Sequence, residues 1–151
     1  MSARRPHDGV YARIARSRIH GVGVRAIRDI PAGTVIFRGE SERVVWLSRA
    51  AVRRLPRFLR QLYEDFAILW DGHYGVPRSL NNLSVGWYLN HSNRPNVVAD
   101  DVGRFRSLRR IRKGEELTAD YRTFTEQEEP LGFRPRKSRR GRRPSRRASR
   151  A

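Results

Sequence analysis

Short stretches in which apolar residues alternate with polar or small residues recur along this chain, and they predict β-strands. Within residues 10–27, Val22, Val24 and Ala26 alternate in this way directly after a glycine-containing turn. Five further segments are predicted to be strands, at residues 34–38, 43–46, 96–99, 104–108 and 117–119. Many short strands at close spacing predict a mainly β chain that is built from several small sheets.

Helical patterning is confined to an insert at about residues 47–64. Ser48 is a candidate N-cap, with Leu47 and Val52 placed to pack against each other across it. Pro56 ends this first helix, because proline cannot continue the backbone hydrogen bonding. The apolar stripe of a second helix follows, at Phe58, Leu59, Leu62 and Tyr63. Beyond the insert, Asp71-Gly72 lies between the apolar segments 66–70 and 74–76 and predicts a hairpin turn.

The composition restricts the class of protein. A chain of 151 residues forms one domain with a modest core. It contains no cysteine, which excludes disulfides, thiolate zinc sites and cysteine nucleophiles, and we expect no metal site. No apolar run is long enough to cross a bilayer, and the N-terminus lacks the apolar stretch of a secretory signal. We therefore expect a soluble protein of the cytoplasm with no membrane contact.

The net charge of +18 is distributed unevenly along the chain. Residues 134–151 contain nine arginines, Lys137 and no acidic residue. Such a block cannot bury apolar surface, so it predicts a disordered tail that binds polyanions, although a merely solubilising tail is the simpler alternative. The bias towards arginine is typical of a G·C-rich genome and hints at a bacterium, in which association with the nucleoid would follow.

Three segments combine permissive backbone or polar groups with apolar strands. The first is His20-Gly21-Val22-Gly23, which alone would more often be a tight turn. The second is the polar cluster at residues 90–96, in which a lone His91 would more often be structural. The third is residues 114–121, a strand that ends in Asp120 and Tyr121, and a tyrosine there would usually belong to the core.

Taken together, these three segments resemble the SET-domain family. Gly-x-Gly, Asn-His-Ser before Pro-Asn, and Glu-Leu-Thr-x-Asp-Tyr occur in the family's order, with 31 residues from Asn90 to Tyr121. The resemblance covers residues 10–124, which leaves an N-terminal extension at 1–9, an acidic and aromatic flank at 125–133 and the tail at 134–151. It implies the β-clip fold, in which small twisted sheets surround a C-terminal segment that is threaded through a loop of the preceding chain.

The resemblance also implies an activity, the transfer of methyl groups from S-adenosyl-L-methionine to a lysine of a protein or peptide. Tyr121 is the implied catalytic residue, which orients the amine and the methyl group. The cofactor would enter one face of the site and the lysine the other, through a narrow apolar channel. The implied cofactor-binding residues are His20, Gly21, Val22, Gly23, Asn90, His91 and Tyr121. Asp120 and Ser92 are expected to brace the junction.

Departures from the family bear on the lysine channel. Asn93 follows Asn-His-Ser where many members have a cysteine, so the lid over the channel must come from residues 124–133 or from a second subunit in a homodimer. Two residues before the tyrosine, Ala119 replaces the bulky residue that limits the number of methyl groups in many members. The candidate channel residues are Tyr63, Phe66, Trp70, Ala119 and Phe124.

Two other functions are compatible with the sequence. The tail and the basic body could belong to a nucleic-acid-binding architectural protein that contacts DNA or RNA nonspecifically through residues 134–151. Alternatively, an inactive SET fold could serve as a peptide-binding module. Lys137, one of only two lysines in the chain, lies in an Arg-Lys-Ser context and is a candidate site of automethylation.

Overall fold

The computed structural model of the protein describes residues 6–39 and 44–126. In these ranges the chain forms ten strands, two α-helices and three 3₁₀ turns. The strands are β1 (Ala12–Arg16), β2 (Val22–Ala26), β3 (Val35–Phe37), β4 (Val44–Ser48), β5 (Ile68–Trp70), β6 (His73–Pro77), β7 (Asn90–His91), β8 (Val97–Ala99), β9 (Phe105–Ser107) and β10 (Glu116–Ala119). The helices are α1 (Arg49–Arg53) and α2 (Arg57–Phe66), and the 3₁₀ turns are Leu80–Asn82, Val85–Tyr88 and Tyr121–Thr123. The prediction of a mainly β chain with a short helical insert is confirmed.

Seven strands form the larger sheet, in the order β1-β2-β10-β8-β9-β3, with β7 paired to β10. The alternation of Val22, Val24 and Ala26 corresponds to β2, which pairs with β1 along its whole length. Val24 is completely buried, and it packs with Leu117 of β10 and Val97 of β8, which are also completely buried. Burial of these branched side chains from adjacent strands holds the sheet together.

β10 is the strand on which the site depends. Its first half pairs antiparallel with β2, and its second half pairs parallel with β7 and β8. Ala119 is paired with both His91 and Val97, so the two ends of segment 91–97 lie on opposite sides of β10. Asn96 fastens this arrangement, since its amide donates to the Glu116 carbonyl at 2.8 Å and accepts from Thr118 N at 2.8 Å. The segment between β7 and β8 therefore wraps around the end of β10.

The smaller sheet has the order β4-β6-β5. Its β5–β6 turn has positive φ angles at Asp71 (45°) and Gly72 (69°), as a tight two-residue hairpin turn requires. The hairpin prediction at these two residues is confirmed. Opposite Gly75 on β6 lies Trp46 on β4, and a Cβ at Gly75 would approach the Trp46 ring to 2.7 Å. The glycine therefore allows the indole to lie against the sheet.

The helical insert differs from its prediction in detail. Ser48 is the N-cap of α1, and its hydroxyl accepts from Ala51 N at 3.1 Å, as predicted. Helix α2 extends to Phe66, which was expected to begin a strand. None of its residues is fully buried, and the Phe58 side chain is 70% exposed. The predicted apolar stripe is thus only partly covered, because the helix lies on the outside of the smaller sheet.

The first two residues of the C-terminal flank, Thr125 and Glu126, contact the smaller sheet. Thr125 is buried, with its hydroxyl accepting from Leu69 N at 3.1 Å, and Glu126 N donates to the Leu69 carbonyl at 2.7 Å. These two residues lie along the edge of β5. The predicted strand residue Arg43, the rest of the C-terminal flank and the predicted disordered tail lie outside the described residues. Within the described ranges no helix is long and apolar enough to span a membrane.

Candidate functional site

A tight turn between β1 and β2 forms one side of the site. The Ser17 hydroxyl accepts hydrogen bonds from the backbone N–H groups of Ile19 (2.9 Å) and His20 (3.1 Å), and Ser17 N donates to the Gly21 carbonyl at 3.1 Å. Gly21 has φ +46°, a conformation that favours glycine, and no atom lies within 4 Å of the position that its Cβ would occupy. The turn therefore exposes backbone to solvent, where a ligand could approach it closely.

Asn90 connects this turn to β10. Its side-chain nitrogen lies 3.0 Å from the Val22 carbonyl, 3.3 Å from the His20 carbonyl, 3.0 Å from the Ser17 hydroxyl and 3.0 Å from Glu116 Oε1. Four acceptors around one buried amide nitrogen are more than its two hydrogens can serve at once. Three of these acceptors belong to the turn and the fourth to β10, so the Asn90 side chain fixes the position of the turn relative to β10.

Glu116 is the second anchor of the turn, and sequence reasoning missed this role. Its Oε1 accepts from the Ser17 hydroxyl at 2.6 Å, across 99 residues of chain, and its Oε2 lies 3.6 Å from the Arg25 guanidinium. Gly23 passes so close that a Cβ there would lie 2.3 Å from Glu116 Oε1. The second glycine of the Gly-x-Gly segment is therefore required by Glu116 and Asn90, and not by the turn alone.

Tyr121 lies at the junction of β10 with β7. Its side chain is buried, its hydroxyl donates to the Leu89 carbonyl, and its backbone N–H donates to His91 Nδ1 at 3.2 Å. The His91 and Tyr121 rings meet edge to face with centroids 5.3 Å apart. Burial raises the pKa of the Tyr121 phenol to about 12, because the charged phenolate would be poorly solvated. The hydroxyl is therefore neutral at physiological pH.

Asp120 and Ser92 stabilise this junction from outside. The Asp120 carboxylate accepts from Arg122 N at 3.0 Å and so caps the turn that contains Tyr121. Its hydrogen bonds to the Arg122 guanidinium lower the pKa of the carboxyl group to about 2. Ser92 N donates to the Ala119 carbonyl at 3.0 Å, and the Ser92 hydroxyl accepts from Arg94 N. Both residues have local partners that hold the backbone around Tyr121.

A cavity of about 360 Å³ lies between the two sheets and reaches Tyr121. Ring faces and apolar side chains make up most of its wall: Val44, Trp46, Ile68 and Trp70 from the smaller sheet, Phe37, Ala99 and Phe105 from the larger sheet, and Trp87, Leu89, Tyr121 and Phe124. Asp100 and Asp101 also line it. The rings of Phe105, Phe124 and Tyr121 form a chain, with successive centroids 5.7 and 5.6 Å apart. This geometry suits a long apolar stem that carries a cation.

Three of the five candidate channel residues lie outside the cavity wall. Tyr63 packs against the Tyr74 ring, with centroids 6.4 Å apart, and Phe66 packs against Tyr88 at 6.5 Å. Ala119 is 1% exposed and belongs to the core cluster of the larger sheet. Tyr63, Phe66 and Ala119 therefore do not line this cavity, whereas Trp70 and Phe124 do.

Sequence reasoning also missed much of the wall. All three tryptophans of the chain, Trp46, Trp70 and Trp87, line this one cavity. Tryptophan is enriched at binding surfaces, so the three tryptophans could have indicated the cavity wall from the sequence. Asp100 and Asp101 follow β8 directly, but acidic pairs occur elsewhere in the chain, so nothing in the sequence distinguished this pair.

Comparison with known proteins agrees with this geometry. Residues 21–122 match the SET domain family, and the chain belongs to that family. This range includes β2, the polar cluster at residues 90–96 and the strand that leads to Tyr121. The prediction made from the three short motifs is thereby confirmed, together with the fold class that it implied.

The relatives include histone-lysine methyltransferases. Histone-lysine N-methyltransferase 2D of Homo sapiens is 32% identical over 121 residues, which cover 76% of this chain and 2% of the relative. Histone-lysine N-methyltransferase trithorax of Drosophila virilis is 30% identical over 125 residues, which cover 74% of this chain and 3% of the relative. The chain thus spans only a few per cent of the length of these proteins.

Solved structures of similar fold include one from Plasmodium falciparum. The crystal structure of a Plasmodium falciparum protein named as a "putative histone methyltransferase" matches with a TM-score of 0.50 and 19% identity. The match covers 74% of this chain and 93% of that structure. At this identity the similarity concerns the fold alone.

Proposed function

We propose that this chain transfers methyl groups from S-adenosyl-L-methionine to lysine side chains of proteins. The observation that carries the proposal is the position of Tyr121, whose ring lines an apolar cavity on one side and contacts His91 on the other. His91 and Asn90 lead from there to the exposed turn at Gly21. A site open to two directions is what methyl transfer between two large reactants requires.

The turn and the β7 residues suit the cofactor chemically. The backbone at Gly21 is open to solvent, the His91 side chain is partly exposed, and the two anchors Asn90 and Glu116 hold the turn rigid. We propose that His20, Gly21, Val22, Gly23, Asn90, His91 and Tyr121 hold S-adenosyl-L-methionine. When bound, that cofactor supplies an electrophilic methyl group on a sulfonium.

The residues of the cavity would prepare the lysine. An amine attacks only in its neutral form, and an ordinary lysine has a pKa of about 10.4. The rings of Trp46, Trp70 and Phe124 would desolvate a bound amine in part and lower its pKa, whereas the carboxylates Asp100 and Asp101 oppose this shift. The neutral Tyr121 hydroxyl keeps lone pairs free beside its bond to the Leu89 carbonyl, so it can orient the amine without taking its proton.

A transfer assay tests this proposal. Full-length protein, labelled S-adenosyl-L-methionine and a panel of histones, bacterial nucleoid proteins and lysine peptides are incubated together, and the labelled residues are identified by mass spectrometry. We expect label on lysine side chains of at least one added substrate. Absence of label, combined with absence of cofactor binding by calorimetry, would contradict the proposal.

Asn90→Ala is expected to weaken cofactor binding, because the turn loses the amide that connects it to Glu116. Leaving the buried acceptors unpaired should also lower the free energy of unfolding by about 1–3 kcal/mol. Calorimetry with the cofactor and thermal unfolding measure the two effects separately.

Asn96→Ala is the matched control, because it removes an equally buried amide that contacts β10 but not the turn. We expect a similar loss of stability with cofactor affinity near that of the wild type. Equal affinities in the two variants would restrict Asn90 to a scaffold role.

The arginine-rich tail supports a second, compatible function, nonspecific contact with DNA or RNA. Residues 134–151 carry ten of the 33 basic residues, and neutralisation of phosphates makes such binding steeply dependent on salt. Deletion of this tail should weaken DNA affinity and flatten its salt dependence while cofactor binding persists. A truncated protein with an unchanged salt slope would assign the DNA contact to the body.

A further inference from the structure

The cavity has the opposite charge to the rest of the chain. The net charge of the protein is +18, yet Asp100 and Asp101 are the only charged residues that line the cavity in the described part of the chain. Asp100 pairs with Arg104 at 2.7 Å, whereas Asp101 is exposed and makes no ion pair with any described residue. A cavity with this charge attracts a basic occupant.

The cavity wall favours a particular shape of side chain as well as a positive charge. Trp46, Trp70 and Trp87 present large aromatic surfaces, and Trp46 and Trp70 remain about half exposed. Aromatic faces attract cations, and they also cover the methylene stem of a lysine side chain. The occupant that fits both features is a lysine with basic residues around it.

The described chain ends at this cavity. Phe124 lines it, and the following two residues lie along β5, where Glu126 N donates to the Leu69 carbonyl and Glu126 Oε1 accepts from Asp71 N at 3.1 Å. The neighbours of Leu69 in β5, Ile68 and Trp70, both line the cavity. The described part of the chain therefore ends beside the cavity wall.

The chain beyond this point contains a suitable occupant. Lys137 lies eleven positions after Glu126, a length of chain that can span up to about 36–40 Å and thus far exceeds the size of the cavity. Arg134, Arg136, Arg139 and Arg140 surround it. The other lysine of the chain, Lys113, lies in the turn before β10, where its backbone N–H donates to Asp29 at 2.9 Å, and it does not line the cavity.

We propose that Lys137 enters this cavity from its own chain and is methylated there in cis. The inference rests on the proposed methyltransferase function. The lone pair of the neutral Lys137 Nζ forms a bond to the methyl carbon of S-adenosyl-L-methionine as the carbon–sulfur bond breaks. The electron pair of that bond stays on sulfur, which gives S-adenosylhomocysteine, and the methylated ammonium releases a proton to solvent.

Because Lys137 is tethered to the site, the rate of its methylation should not depend on protein concentration. A segment that can span the distance to its site reaches effective concentrations of about 1 mM, well above the working concentration of a purified enzyme. Self-methylation should therefore follow first-order kinetics that do not depend on protein concentration. The same occupancy makes the tail a competitor of other lysine substrates.

The test uses the full-length protein with labelled S-adenosyl-L-methionine and no other substrate. We expect label on Lys137, its loss in Lys137→Arg, and its retention in the matched control Lys113→Arg. Diluting the protein 100-fold should leave the rate constant unchanged. In parallel, Lys137→Arg is given a synthetic peptide with the sequence of residues 130–144, and it should methylate that peptide.

Each other outcome overturns the inference. A rate that rises in proportion to protein concentration would assign the labelling to transfer between two copies. Label that persists in Lys137→Arg would locate the modified residue elsewhere. Absence of self-labelling in a protein that methylates added peptide would reject modification in cis and leave the proposed function intact. A protein that neither binds the cofactor nor labels any substrate would lack the proposed function, and the inference would fail with it.

Discussion

Tyr121→Phe is expected to leave cofactor binding nearly intact and to reduce turnover by about 100- to 10,000-fold. The substitution removes one hydroxyl, which donates to the Leu89 carbonyl and which we propose orients the amine, while the ring keeps its contacts with His91 and Phe124. Since Leu89 O loses its partner, a loss of stability of about 1–3 kcal/mol should accompany the effect. Single-turnover kinetics at saturating cofactor measure the chemical step.

Tyr63→Phe is the matched control, because that phenol packs against Tyr74 outside the cavity. We expect turnover close to that of the wild type. If Tyr121→Phe retained full turnover on a lysine substrate, Tyr121 would have no part in catalysis.

Ala119→Phe is expected to destabilise the fold and not to alter the methylation state of the product. The Ala119 side chain is buried in the core cluster that also contains Leu89 and Val97, so a phenylalanine there would have to displace its core neighbours. Overpacking of this kind costs about 3 kcal/mol, which lowers Tm by about 6–12 °C in a chain of this size. Differential scanning calorimetry measures the change.

The same substitution at Ala99 provides the contrast, because Ala99 is half-buried and lines the cavity. Ala99→Phe should retain most of the stability and narrow the cavity, which shifts the product towards fewer methyl groups. If Ala119→Phe had a normal Tm and its product carried fewer methyl groups, Ala119 would line the lysine channel.

Local patterning was enough to predict most of the strands. The alternation at Val22 to Ala26 and the Asp71-Gly72 turn are determined by neighbours in sequence, and both correspond to observed elements. β7 could not be predicted in this way, because two residues contain no period. Its existence depends on pairing with β10, some 28 residues further along the chain.

The sequence predicted the parts of the candidate site that lie in short motifs. It did not predict the parts in which side chains from distant segments meet. The contact between His91 and Tyr121 agrees with the resemblance to the SET-domain family. The Ser17–Glu116 bond depends on the pairing of β2 with β10 in the larger sheet, and the cavity between Trp46 and Phe124 depends on how the two sheets pack. No local pattern determines either. The burial of Ala119 also depends on residues that are distant in sequence, such as Val24 and Val97, so no local pattern indicated it.

The most direct test of the account is a crystal structure of the full-length protein with S-adenosylhomocysteine and a lysine peptide. We expect the cofactor product to lie against Gly21 to Gly23 and His91, and the lysine to lie between Trp46, Trp70 and Phe124 with its amine beside the Tyr121 hydroxyl. A cofactor product bound in the aromatic cavity, or a lysine bound away from Tyr121, would contradict it.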